Sequence, residues 1–208
     1  SEMCIRDSLQ DGKKEKITPN VKEGFLETVL KLKKEGSWIV AVKSKPGFYT
    51  MYLDKNHKMH HKLGPKTGVK GRIIVSLYYQ QFAKTIICAG NKQDKSFSKP
   101  VGHKLEIILL KNPSKLRGCG GHFLPVKILF NGRPAMFKKV FATYLGFSSH
   151  ADDFAYTTST DMNGVAKIRL LKPGEWLIKT DLKLPPTGDK KEKCNEIHYT
   201  ATLTLGVK

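Results

Sequence analysis

Short apolar runs closed by turn signals are the feature that most limits what this chain can fold into. Seven such runs follow one another between residues 105 and 207. Turn pairs of the type Asn-Gly, which favour tight hairpins, stand at Asn131-Gly132 and Asn163-Gly164. Helical periodicity is almost absent. The pattern predicts an all-β fold, with an antiparallel sandwich in this part of the chain.

The predicted strands of this second part cover residues 105–110, 124–130, 140–144, 155–160, 165–170, 176–184 and 197–207. In the first part, residues 28–32 and 38–42 are predicted to form a hairpin, and residues 83–89 a further strand. Residues 72–82 fit either a strand or one short helix. Residues 50–70 hold few apolar side chains and are predicted to be an exposed loop.

A polar, lysine-bearing stretch, NKQDKSFSKP at residues 91–100, is the best linker candidate in the 208 residues. We therefore predict two antiparallel β-sandwich domains, residues 9–100 and residues 101–208. The first eight residues join the rest without pattern, and we interpret them as a non-native adapter remnant. The true N-terminus, with any signal peptide, is then expected to be missing.

The charge balance is strongly basic, with 37 Lys and Arg against 18 Asp and Glu and a formal net charge of +19. Such an excess attracts polyanions. Because the cations are mostly lysines spread along the chain, without interleaved aromatic residues, we predict no specific nucleic-acid binding. No apolar run approaches the roughly 18 residues of a transmembrane helix.

Catalytic and redox motifs are not apparent in the sequence. The four cysteines, at positions 4, 88, 119 and 194, form no CxxC pair. Cys88 lies in an apolar run and is predicted to be a core residue, while Cys119 and Cys194 lie in polar connections and could pair. Nucleophile elbows, HExxH motifs and phosphate loops are lacking, so we expect a protein that is not an enzyme.

The segment His57-Lys-Met-His-His-Lys62 is the first metal-site candidate. Histidine nitrogen and methionine sulfur are ligands for nickel, cobalt, copper or zinc. In an extended loop His60 and His61 would point apart, but a tight turn would bring His57 and His61 to one ion. The neighbouring lysines repel a dication, however, and the alternative is a solvated basic loop.

Two further histidines are candidate metal ligands outside that segment. His103 stands at the start of the second part, where packing or hydrogen bonding at the domain junction is the alternative to ligation. His150 stands beside Asp152 and Asp153 in a polar loop, an acidic setting that suits a cation better than the lysine-rich segment does. Asp161-Met-Asn163-Gly164 lacks the later ligands of a calcium loop, and we predict a hairpin turn there.

Several motifs, in this order, resemble a known family. They are Gly36-Ser-Trp-Ile-Val-Ala-Val-Lys-Ser-Lys-Pro-Gly-Phe48, Gly102-His-Lys-Leu-Glu-Ile107, Leu124-Pro-Val-Lys-Ile-Leu-Phe-Asn-Gly-Arg-Pro134, Thr160-Asp-Met-Asn-Gly-Val-Ala-Lys-Ile168 and Tyr199-Thr-Ala-Thr-Leu-Thr204. Together they are similar to the bacterial domain of unknown function 4198, the NikM-like family associated with nickel and cobalt uptake. The resemblance covers nearly everything from about residue 20 onward.

The resemblance implies a periplasmic or secreted protein of two β-sandwich parts, the second immunoglobulin-like or transthyretin-like. It implies an accessory role in transition-metal uptake, with a membrane transporter or receptor as partner. The alternative function is an adhesive or carbohydrate-binding module. Exposed aromatic side chains clustered on one sheet face would favour the alternative, and converging His and Asp side chains would favour metal uptake.

Overall fold

The structure, a computed structural model, describes residues 3–10, 13–15, 17–18, 20–22, 25–32, 34–90, 92, 94–118 and 122–208. Its first eight strands are β1 (Met3–Gln10), β2 (Lys13–Glu15), β3 (Asn20–Lys22), β4 (Phe25–Glu27), β5 (Gly36–Ser44), β6 (Gly47–Leu53), β7 (Met59–Lys62) and β8 (Arg72–Ala89). The second eight are β9 (Leu105–Leu109), β10 (Phe123–Phe130), β11 (Arg133–Pro134), β12 (Lys139–Tyr144), β13 (Tyr156–Ser159), β14 (Val165–Arg169), β15 (Gly174–Leu184) and β16 (Glu196–Val207). These assignments confirm the all-β prediction.

Most strands belong to one ten-stranded sheet in the described part of the chain. Its order is β13-β12-β15-β16-β8-β5-β1-β2, and the hairpin β6–β7 pairs with the first half of β8. β9, β10, β11 and β14 form a second sheet. Helical structure in the described residues is limited to one turn, α1 (Lys190–Lys193), and two short 3-10 turns. None of these is long and apolar enough to cross a membrane.

The 18-residue strand β8 is the centre of the large sheet. It pairs antiparallel with β6 and β5 on one side and parallel with β16 on the other. Residues 72–82 are therefore strand, and the alternative of a short helix there is wrong. Both sides of β8 are half-buried or buried along most of its length, so the apolar alternation that identifies a strand is weak there.

One apolar core lies between the two sheets. The second sheet contributes fully buried side chains such as Leu124 and Ile168, and the large sheet contributes Trp176, Ile178 and Leu203. All five residues of β9 are buried, although β9 pairs only with β10 among the described strands. The core also includes Phe82 and Ile86 of β8, so both parts of the chain share it.

Turns form at the two places where the sequence predicts them, residues 131–132 and residues 161–164. Asn131 and Gly132 both have positive φ, 51° and 75°, as a tight hairpin turn of the mirror-image type requires. In the other turn, the Asp161 carboxylate accepts hydrogen bonds from the backbone N–H groups of Asn163 and Val165. A turn at residues 161–164 is therefore confirmed, but the prediction of a hairpin there is wrong, because β13 pairs with β12 in the large sheet and β14 pairs with β10 in the second sheet.

A buried ion pair joins the two sheets. Lys84 Nζ of β8 donates to Glu106 Oε1 of β9 at 2.8 Å, and each side chain is only 2% exposed. The Glu106 carboxylate also accepts from the backbone N–H groups of Val101, Gly102 and His103. Burial lowers the pKa of Lys84, and the attraction of the Glu106 carboxylate opposes that shift.

The predicted boundary near residue 100 separates strands that pair with each other. β8 precedes it and β16 follows it, and they match over ten residue pairs from Glu196↔Leu77 to Leu205↔Ile86. Whether residues 9–100 and 101–208 fold as separate domains stays a prediction. Residues 3–10, which include part of the suspected adapter remnant, form β1 and pair with β5.

We predict that Lys84→Met lowers the free energy of unfolding by about 3–5 kcal/mol, because it leaves the Glu106 charge buried without its partner. The matched control is Lys183→Met, which breaks the exposed pair of Lys183 with Glu196 at 3.6 Å. That change should cost less than about 1 kcal/mol. Urea denaturation measures both, and equal losses would contradict the assigned role of the buried pair.

Candidate functional site

The histidine segment forms a β-hairpin. β6 and β7 pair antiparallel with Tyr52 opposite His60 and Met51 opposite His61. The prediction of an exposed loop is therefore wrong for the residues of β6 and β7. The polar side chains of β7 lie on a strand that pairs only with β6 among the described strands, so they reach solvent while the backbone is hydrogen-bonded.

His60 is held in place by two neighbours. Its Nε2 lies 2.9 Å from Asp54 Oδ2, and its ring stacks on Tyr52 with 5.3 Å between ring centroids. A carboxylate only accepts hydrogen bonds, so Nε2 carries a proton, and in the neutral ring Nδ1 then holds the lone pair. The hydrogen bond from His60 is the largest cause that lowers the pKa of Asp54, followed by the backbone N–H of Lys58.

His61 is held by a tyrosine. Its Nδ1 lies 2.6 Å from the Tyr49 hydroxyl. When Nδ1–H donates to that oxygen, the lone pair of the ring is at Nε2. Among the described residues, the His60 ring is hydrogen-bonded only to Asp54 and the His61 ring only to Tyr49. Because adjacent side chains on a strand point to opposite faces, the two rings do not converge on one ion.

His57 lies in the turn of the hairpin, is exposed, and has a positive φ of 61°. Its backbone N–H donates to the carbonyl oxygen of Asp54. The exposed Lys55 and Lys58 lie in the same turn. Among the described residues, no three His, Cys, Asp or Glu side chains lie close enough together to hold one metal ion.

His103 lies at the junction with β9 and is half-buried. Its ring is 5.2 Å from the ring of Phe82, and its backbone N–H donates to Glu106. The Glu106 carboxylate accepts hydrogen bonds from Lys84 and from three backbone N–H groups, so it is not available as a metal ligand beside His103. The environment of His103 is that of a packed junction residue.

His150 borders a groove of about 1130 Å³ on the large sheet. Its Nδ1 lies 3.7 Å from Asp153 Oδ2, and Asp153 accepts a hydrogen bond from Ser148. Asp152 is exposed, and it is Asp153 that faces His150. Both His150 and Asp153 are more than half exposed, so solvent screens their attraction.

The groove is lined by many apolar side chains together with hydroxyl groups and carboxylates. Thr85 and Thr204 share a hydrogen bond of 2.7 Å on its floor. Further lining residues are Thr143, Tyr144, Ser148, Asp153, Glu175 and Leu177. Cys88 also lines it and is exposed, so the prediction of a core cysteine is wrong. Cys194 is a buried free thiol, and Cys119 lies outside the described residues.

A family model described as Domain of unknown function (DUF4198) matches residues 7–183. The chain belongs to this family. The match runs from β1 through most of β15 and so crosses the predicted domain boundary. Comparisons of this DUF4198 chain with curated proteins and with solved structures gave no match.

Sequence reasoning found the histidines of the DUF4198 hairpin but not the side chains that orient them. Tyr49 precedes His61 by twelve residues, and only the pairing of β6 with β7 brings the two together. The available signal was local: Asp followed by Lys-Asn is a turn sequence, with tyrosines before it and histidines after it.

We predict that the pKa of Asp54 lies below its ordinary value of 3.8 and rises toward it in His60→Phe, because that change removes the largest cause of the shift. The ionised carboxylate therefore stabilises the folded hairpin when the pH is above the ordinary pKa of 3.8. This contribution is lost as the pH falls through the lowered pKa. Carbon-detected NMR titration measures the pKa. A value that is unchanged in His60→Phe but altered in His57→Ala would contradict the assignment.

Proposed function

We propose that this chain is a non-enzymatic accessory protein of transition-metal uptake, which binds nickel, cobalt or a related ion at the β6–β7 hairpin and passes it to a membrane partner. The observation that carries the proposal is the orientation of His60 by Asp54. A histidine whose one ring nitrogen donates to a carboxylate presents its other nitrogen as a more basic and better oriented metal ligand.

His61 supports the proposal in the same way. Its contact with Tyr49 at 2.6 Å fixes the ring, and metal binding at Nε2 selects the tautomer in which Nδ1–H donates to the hydroxyl. The hairpin rests on the central strand β8 through seven matched residue pairs of β6. The two imidazoles are therefore presented from a backbone that is fixed before a metal arrives.

The site favours exchange over storage. Each imidazole supplies one protein ligand, and Lys55 and Lys58 raise the local positive potential, which weakens binding of a dication. An ion held by one imidazole keeps open positions, which a donor from a second protein is able to fill. Such a site suits a protein that hands its cargo to a transporter.

The resemblance to the NikM-like proteins supports a periplasmic or secreted location for this function. For the architecture, we propose that residues 101–208 form an immunoglobulin-like or transthyretin-like sandwich. In support, β9, β10 and β14 pack across one core from β12, β15 and β16. Residues up to 100 then add the β5–β8 half of the large sheet and the histidine hairpin.

We predict that the double variant His60→Ala/His61→Ala abolishes calorimetrically detectable nickel and copper binding, since both oriented ligands are removed. Asp54→Asn keeps the ligands but loses the carboxylate that orients His60, and should weaken the affinity about tenfold. Binding should fall below about pH 6, where free imidazoles become protonated.

The matched control is His150→Ala, which removes an exposed histidine at the groove and should bind metal as the unaltered chain does. Circular dichroism checks that every variant keeps its β spectrum. Equal binding by all variants would contradict the hairpin site, and loss in His150→Ala alone would move the site to the groove.

The groove favours a second candidate function, carbohydrate binding. Its threonine hydroxyls, the two carboxylates of Asp153 and Glu175 and the apolar Leu177 supply the hydrogen-bonding and apolar contacts that sugars use. A glycan array tests this candidate, with Glu175→Gln as the variant. Glycan binding that this variant loses would support the adhesive alternative, and an array without binding would leave the metal proposal as the better one.

A further inference from the structure

Three large apolar side chains project from two neighbouring turns. Met136, Phe137 and Met162 are 51%, 69% and 71% exposed. Single exposed apolar residues are normal on a protein surface, but a group of them at one end of a molecule marks an interaction site. We define the apical patch as these three residues together with Arg133, Lys138 and Lys139.

Hydrogen bonds hold the two turns of the apical patch side by side. Thr160 donates through its hydroxyl to the carbonyl oxygen of Ala135 at 2.7 Å and accepts at that hydroxyl from the Lys138 N–H at 2.8 Å. The Phe137 N–H donates to the Thr160 carbonyl oxygen. Because Thr160 is buried and immediately precedes the Met162 turn, the two turns form one rigid platform.

The backbone of Phe137 is strained while its side chain points outward. Its φ of 55° lies in the left-handed region, which bulky residues rarely adopt. An Asn or Gly would fit this conformation better, yet a phenyl group stands there with most of its surface in solvent. The position is therefore poorly explained by local stability and well explained by contact with an apolar medium.

The charges of the apical patch indicate what kind of surface it binds. Arg133 and Lys139 are exposed, Lys138 is half-buried, and none of the three is in an ion pair with any described residue. The carboxylate of Asp161, which lies in the same turn as Met162, accepts hydrogen bonds from the backbone N–H groups of that turn. Apolar tips that protrude, flanked by cations on a chain of net charge +19, match an anionic lipid surface.

We propose that the apical patch docks onto an anionic lipid bilayer, with Phe137, Met136 and Met162 entering the interfacial region and Arg133, Lys138 and Lys139 contacting lipid phosphates. This inference does not depend on the metal-binding proposal, since the apical patch shares no residue with the β6–β7 hairpin. Docking there would fix the protein in one orientation on a membrane.

The test uses Trp substitutions and brominated lipids, which quench a tryptophan only when it enters the bilayer. In Phe137→Trp, vesicles of brominated phosphatidylcholine and phosphatidylglycerol should quench the new fluorescence. The matched control is Leu145→Trp, because Leu145 is 77% exposed at the opposite end of β12 and should stay unquenched. Equal quenching at the two positions, or quenching at neither, would overturn the proposal.

Vesicle co-sedimentation tests the energetics of the same surface. The variant Phe137→Asn/Met162→Gln should bind anionic vesicles about tenfold more weakly, because it removes the apolar contacts, while Leu145→Gln should bind as the unaltered chain does. Asn accepts the positive φ at position 137, so the fold should survive the change. Unaltered vesicle binding would show that attraction comes from the net charge alone, and reversible self-association lost in this variant would assign the patch to a second copy; either result overturns the proposal.

Discussion

The buried pair of Lys84 and Glu106 is the contact on which the arrangement of the two sheets depends. Two charges that are 2% exposed are tolerated only when they are paired and hydrogen-bonded, and here Glu106 accepts from Lys84 and from three backbone N–H groups. The pair fixes β9 and the segment before it against the central strand β8. β8 in turn aligns β16 on one edge and the histidine hairpin on the other.

The sequence predicted the second part of the fold well because its local signals agree. Each of the seven strand runs from residue 105 onward corresponds to a strand, and the turn at Asn131-Gly132 has the expected hairpin geometry. In the first part the signals conflict. Residues 28–32 alternate like a strand but are not one, and residues 72–82 lose their alternation because both faces of β8 are partly covered.

The sequence predicted the histidines of the candidate site as metal ligands, and that role stays a prediction. Histidines are visible in a sequence, but the side chains that hydrogen-bond to them depend on the register of the strands, which cannot be read directly from the sequence. Tyr49 meets His61 and Asp54 meets His60 only because a hairpin folds within a segment whose lysines and histidines indicated a loop. The burial of Lys84 could not be predicted from the sequence for a similar reason. A lysine is normally a surface residue, and its burial depends on the ion pair with Glu106, 22 positions later.

In the proposed function, the oriented rings of the β6–β7 hairpin bind a transition-metal ion. Nitrogen NMR of protein labelled only at its seven histidines tests it most directly, by adding substoichiometric nickel and following each ring signal. The account predicts that the paramagnetic ion broadens the His60 and His61 signals first and that the His103 signal is unaffected. Earlier broadening of His150, or uniform broadening of all rings, would contradict it.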